Sequence, residues 1–152
     1  MIAESARRVA SNTREEINKR IRTTTRCSLA YYARYPEEIG QRLRELDQEW
    51  DIERALETGS SVLSLVGLTM SCGYRKRWLL LPLAVQAFFL QHALQGWCPP
   101  LPLLRRLGFR TRAEIDQERY ALKILRGDFA EAGKPGNKDH VGADELMEAV
   151  LK

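Results

Sequence analysis

The chain has 152 residues, 24 Lys and Arg against 20 Asp and Glu, and a formal net charge of +4, which suits one domain or a small module with arms. Residues 1–58 carry 11 basic and 11 acidic side chains, residues 59–104 three basic and none acidic, and residues 105–152 ten and nine. Charges interleaved in this way do not line up against a run of phosphates, so the pattern argues against nucleic acid as a partner.

The first residues, MIAESARRVASNTREE, hold neither an apolar core nor a small-residue cleavage site, so no secretory signal is expected there. Residues 1–57 read as an N-terminal arm of two amphipathic helices. Thr13 stands three residues before Glu16, the spacing of a capping box, and Ile17 and Ile21 follow at helical intervals. Tyr35 is pushed out of the helical basin by Pro36, and Pro36-Glu37-Glu38 makes a favourable new first turn. Ile39, Leu43, Leu46 and Trp50 then form one apolar stripe.

Residues 58–104 change character. Thr58–Tyr74 is an uncharged run of 17 residues, interrupted only afterwards by Arg75, Lys76 and Arg77. A second uncharged stretch opens with the 20 residues Trp78–Trp97, which at ~1.5 Å per residue cross an apolar layer of ~30 Å. The expected fold is all-α: a two-span transmembrane helical hairpin with amphipathic helices in N- and C-terminal cytoplasmic arms. Ser60, Ser64 and Gly67 supply a small-residue face for close helix packing. Gln91, His92 and Gln95 form a polar cluster within the second helix, expected to hydrogen-bond across a dimer, with contact to a pigment, haem or quinone near His92 as a further option. A soluble helical oligomer with a buried hairpin, and a hairpin lying in the cytoplasmic leaflet, stay open as alternatives.

The hairpin ends in GWCPPLPLLRRLGF. Trp78 and Trp97 are placed at the two headgroup levels, and Arg105 and Arg106 at the anionic surface. Spanning would put Cys72 and Cys98 at opposite ends, too far apart for a disulfide. Seven Lys/Arg flank the spans on the arm side (Arg42, Arg44, Arg54, Arg105, Arg106, Arg110 and Arg112) against three in the loop, which predicts both termini on the cytoplasmic side. Cys98 is the thiol candidate, activated if neighbouring arginines favour thiolate and otherwise a small apolar residue at a helix end. Residues 105–127 read as an amphipathic helix with a capping box at Thr111 and Glu114, a stripe of Ile115, Leu122 and Leu125, and a stop at Gly127. Residues 128–152 read as a linker and a short C-terminal helix.

The hairpin with its GWCPPLPLLRRLGF exit and IERALE lead-in resembles the YgaP-like inner-membrane family, a two-helix transmembrane domain of largely unknown function. The resemblance spans roughly residues 50–112 and is most specific at Gly96, Cys98 and Pro99. It implies a small bacterial inner-membrane protein that self-associates and works near sulfur metabolism. No counterpart of the namesake's rhodanese domain is expected in these residues, since the 57 before the hairpin are too few to form one.

No Walker loop, GxGxxG, HExxH or GxSxG is present, and two histidines, His92 and His140, do not suffice for a histidine triad or metal cage. No enzyme activity, metal or resident cofactor is therefore expected. The expected role is a self-associating or accessory subunit of a membrane assembly, in contact with lipid. The alternative is a thiol-dependent sulfur carrier or small-anion conduit using Cys98.

Overall fold

The computed structural model describes residues 7–73 and 75–129. Tyr74 and the expected C-terminal helix fall outside them. Every regular element among the described residues is helical: α1 (Arg8–Ser11), α2 (Glu15–Tyr32), α3 (Ile39–Gln48), α4 (Ile52–Gly73), α5 (Leu80–Gln95), α6 (Leu101–Leu107) and α7 (Arg112–Arg126), with short 3-10 turns at Pro36–Glu38 and Lys76–Leu79. The all-α expectation holds. The chain divides into two compact units that are not contiguous in sequence: Met1–Thr23 with Trp50–Ile115, and Thr24–Glu49 with Asp116–Lys152.

The first unit contains the hairpin. α4 turns back through Lys76–Leu79 into α5, and the two helices pack along their length. Gly67 is what allows the approach: a Cβ there would stand 2.5 Å from Pro82 Cδ and 3.3 Å from Leu81 Cβ. Pro82 is tolerated because it lies in the first turn of α5, where its missing N–H has no helical acceptor to serve. One turn away on the same face of α4, the Ser64 hydroxyl accepts a 3.0 Å hydrogen bond from Gln86 Nε2. The stripe of small residues thus joins the two helices of one chain.

Helix α5 ends at Gly96, whose φ of +73° is left-handed and whose N–H returns to His92 O at 2.7 Å. Glycine is required here twice over, since a Cβ would also lie 2.7 Å from the Arg8 backbone. Pro99 and Pro100 do not simply terminate the run. Pro100 caps α6, a helix distinct from the hairpin exit expected from sequence, and Pro102 sits in its first turn. Val9, Ile52, Leu56, Cys98 and Leu101 form the core at this end, with Phe89, Leu104 and Phe109 packed around them.

The run Lys76–Gln95 is long and apolar enough to cross a membrane, and only 11% of it is buried within the protein. It is the only such run among the described residues. Helix α4 falls short because Glu53, Arg54 and Glu57 occupy its first two turns and Gly59, Ser60, Ser61 and Ser64 dilute the rest.

The second unit is held by a buried carboxylate. Glu118, fully buried on α7, accepts from Ser28 Oγ at 2.6 Å and from Arg42 Nε at 3.0 Å, tying α2 and α3 to α7. Ile39, Leu46 and Leu122 are fully buried and Leu43 nearly so, which meets the stripe expected on α3. Leu125 and Trp50 do not join the buried sets. Trp50 lies beyond α3, in the first unit, and carries the Arg54 guanidinium 4.6 Å over its ring.

Candidate functional site

The arm end of the hairpin collects most of the residues singled out in the sequence. Its centre is Arg105, and here the expectation of a headgroup contact is corrected. Arg105 is fully buried. Its Nε donates to Thr13 Oγ1 at 3.1 Å, and one terminal nitrogen donates to Phe109 O at 3.1 Å and Glu114 Oε2 at 2.6 Å. The other reaches Asn18 Oδ1 and Glu114 Oε1, both at 2.8 Å. All five guanidinium N–H groups are thereby used inside the protein, and none is left for a phosphate outside.

Glu114 is prepared for this pairing by the capping box. Thr111 N–H donates to Glu114 Oε2 at 2.8 Å, and Glu114 N–H donates to Thr111 Oγ1 at 3.2 Å. Burial alone would push the Glu114 carboxyl up, but the Arg105 hydrogen bonds, the Thr111 N–H and the Arg105 charge outweigh it and hold the group below the ordinary carboxylate value. The other expected box does not form. The Thr13 hydroxyl donates to Val9 O at 2.8 Å and accepts from Arg105, because Thr13 is needed as a partner for the buried cation. Arg106, by contrast, has an exposed side chain, and its carbonyl accepts from Arg20 at 2.7 Å. Trp78 and Trp97, 41% and 37% exposed, are both available at the surface.

Cys98 is only 2% exposed, and all three thiols are free. Burial pushes the Cys98 thiol up, with the Leu101 backbone N–H partly offsetting it. Arg105, one of the neighbouring arginines expected to favour thiolate, is committed to Glu114 instead. A thiol in this setting is a poor nucleophile at neutral pH.

His92 is corrected too. It is 3% exposed, buried within its own unit rather than offered to a second copy. Gln91 is half-buried and Gln95 exposed, so the three polar residues do not act as one face; the Gln95 carbonyl accepts from Asn12 Nδ2 at 2.9 Å. Among the described residues both His92 ring nitrogens lack a partner, as do Arg8 Nε and Glu53 Oε2. Arg8 reaches the same turn of α5, donating from a terminal nitrogen to Ala93 O at 3.3 Å. No group of three or more His, Cys, Asp or Glu that would hold a metal occurs among the described residues.

Beside Cys98 lies a feature with no signal in the sequence: an apolar cavity of about 360 Å³ between α4, α5 and the start of α6. Gly59 and Ser60 of α4, Val85 and Phe88 of α5, and Leu104 of α6 line it, with Cys98 at its inner wall. Ser60 therefore faces a cavity, and of the expected small-residue face only Ser64 and Gly67 are buried at the packing contact. No periodicity predicts such a space, because it depends on how far a small residue sits from the helix opposite. Compared with known protein families, curated proteins and solved structures, this chain finds no match in any of the three.

Proposed function

We propose that the protein is a membrane-embedded helical hairpin, with α4 and α5 inserted as a two-span unit into the bacterial inner membrane and with cytoplasmic arms, acting as a self-associating or accessory subunit of a membrane assembly. One observation carries the reading: the outer faces of the hairpin are apolar and bare. Leu65 is 62% exposed, Leu80 and Leu83 67%, Leu90 61% and Leu94 59%. Monomeric soluble proteins rarely leave so many large apolar side chains of one hairpin bare to water. At ~25 cal/mol per Å², transfer of such surface into lipid is strongly favourable.

The orientation rests on charge. Arg105 is neutralised by Glu114 and Arg42 pairs with Glu118, and discounting both still leaves five basic residues flanking on the arm side against three in the loop, so the arms stay cytoplasmic. Arg75, Lys76 and Arg77, all exposed beside Trp78, suit the opposite headgroup layer. The inner-membrane assignment and the expectation of self-association follow the YgaP-like resemblance. A soluble oligomer that covers these faces with other copies is the competing reading, favoured by the same exposed leucines. Alkaline carbonate treatment of membranes from expressing cells separates the two. The chain is expected to stay in the pellet, and release into the supernatant would overturn the membrane reading.

A further inference from the structure

We infer that the cavity beside Cys98 seats one acyl chain of a membrane phospholipid. The inference rests on the membrane reading and adds a defined lipid site to it. The size is right for a ligand: about 360 Å³ falls within the ~300–1,000 Å³ of small-molecule pockets. The chemistry is narrow. No charged side chain lines the space, so it has nothing to hold a phosphate, a carboxylate or a metal ion. Its side-chain polar groups are the Ser60 hydroxyl and the Cys98 thiol. The hydroxyl proton is already donated to Glu57 O at 3.1 Å, and a thiol is a weak donor. A ring bearing carbonyl or hydroxyl groups would therefore lose its hydrogen bonds on entering, whereas a hydrocarbon tail loses none. Apolar cavities of this kind stay dry and take apolar guests.

The source of the tail follows from where the cavity opens. Leu63 and Phe88 line it and are also 48% and 45% exposed, so the mouth lies on the bare apolar flank of the hairpin. From there it runs along α4 back to Ala55, eight residues or ~12 Å, towards the buried Cys98. The occupant thus comes from the phase that bathes the flank. Its polar end stays outside, in the arm-side headgroup layer beside the exposed Pro99 and Pro100 that also line the cavity, because the inner wall offers it no partner.

The test uses the full chain in vesicles of phosphatidylethanolamine and phosphatidylglycerol containing a phospholipid with a photoactivatable diazirine in one tail. After illumination, adducts are mapped by mass spectrometry. Wild-type protein is expected to carry tail adducts at the cavity residues, Cys98 included, and at the outer residues Leu65, Leu80 and Leu83. Gly59→Leu projects a side chain from the cavity wall, and its Cβ is accommodated, since a Cβ at Gly59 meets nothing within 4 Å. It should lower the cavity adducts about tenfold while leaving the outer ones unchanged. Val85→Phe, from the facing helix, should do the same, and circular dichroism checks that both variants fold. Outer adducts without cavity adducts, or cavity adducts unchanged in both filled variants, would overturn the lipid site and leave the membrane reading standing. Adducts nowhere would overturn both.

Discussion

Replacing Arg105 by methionine keeps an unbranched apolar stem and removes the guanidinium with its five hydrogen bonds at once. Thr13 Oγ1, Asn18 Oδ1, Phe109 O and both Glu114 oxygens lose a donor that stood 2.6–3.1 Å away. The greatest loss falls on Glu114, whose side chain is 18% exposed and whose charge would be left without its counter-ion. Breaking one side of a buried pair costs about 3–5 kcal/mol. At ~2–4 °C per kcal/mol for a chain of this size, the melting temperature should drop by roughly 6–20 °C. Arg106→Met, one residue along and exposed, should stay within ~0.5 kcal/mol of wild type. The assay is thermal unfolding in detergent followed by circular dichroism, with both variants side by side. Its pH dependence has a definite sign. The Glu114 carboxyl is held below its ordinary value of 4.5 in the folded protein, so it contributes stability above that pH and the contribution fades as pH falls through the depressed folded value. Arg105→Met removes the cause of the depression, so the gap between the two proteins should narrow in acid. The double variant Arg105→Met/Glu114→Leu, with no charge left buried, should recover much of the loss. Equal melting temperatures for Arg105→Met and Arg106→Met would refute the reasoning and return Arg105 to the membrane surface.

Three further outcomes follow from the same geometry. Gly96 and Gly108 both have positive φ, at 73° and 97°, but a Cβ meets the Arg8 backbone at 2.7 Å only at Gly96. Gly108→Ala should therefore cost only the ~1–2 kcal/mol of a left-handed backbone, and Gly96→Ala clearly more, as read from paired denaturant titrations. Gly67→Ala should destabilise by ~1–3 kcal/mol through the clash with Pro82. Gly59→Ala should stabilise by up to ~1 kcal/mol from helix propensity, and melting curves rank the pair. In the native protein, maleimide at neutral pH should modify the exposed Cys27 and Cys72 and spare Cys98 until denaturant is added; peptide mapping showing equal rates would mean that the thiol is neither buried nor suppressed.

What could be read from the sequence was what depends on neighbours within a turn or two. The Thr111–Glu114 box, the stripe Ile39–Leu43–Leu46 and the stop at Gly127, whose φ is +87°, are each set by local spacing, and each is present. Pairings across long separations could not be read in this way. Arg105 meets Asn18 across 87 residues, and nothing in RRLGF distinguishes an arginine that turns inward from the next one, which does not. His92 was legible as an unusual residue in an apolar helix, but its burial beside Arg8 depends on α1 returning to the end of α5. The small residues of α4 were legible as a packing face. Their partner proved to be α5 of the same chain, through Pro82 and Gln86.

The central claim is that the bare flank of α5 faces lipid tails. A nitroxide spin label at Leu83, 67% exposed, in protein reconstituted into vesicles tests it through the label's collisions with oxygen and with a water-soluble nickel chelate. The account predicts frequent collisions with oxygen, which concentrates among the tails, and few with the chelate. Ready access of the chelate to that position would place the flank in water and contradict the account.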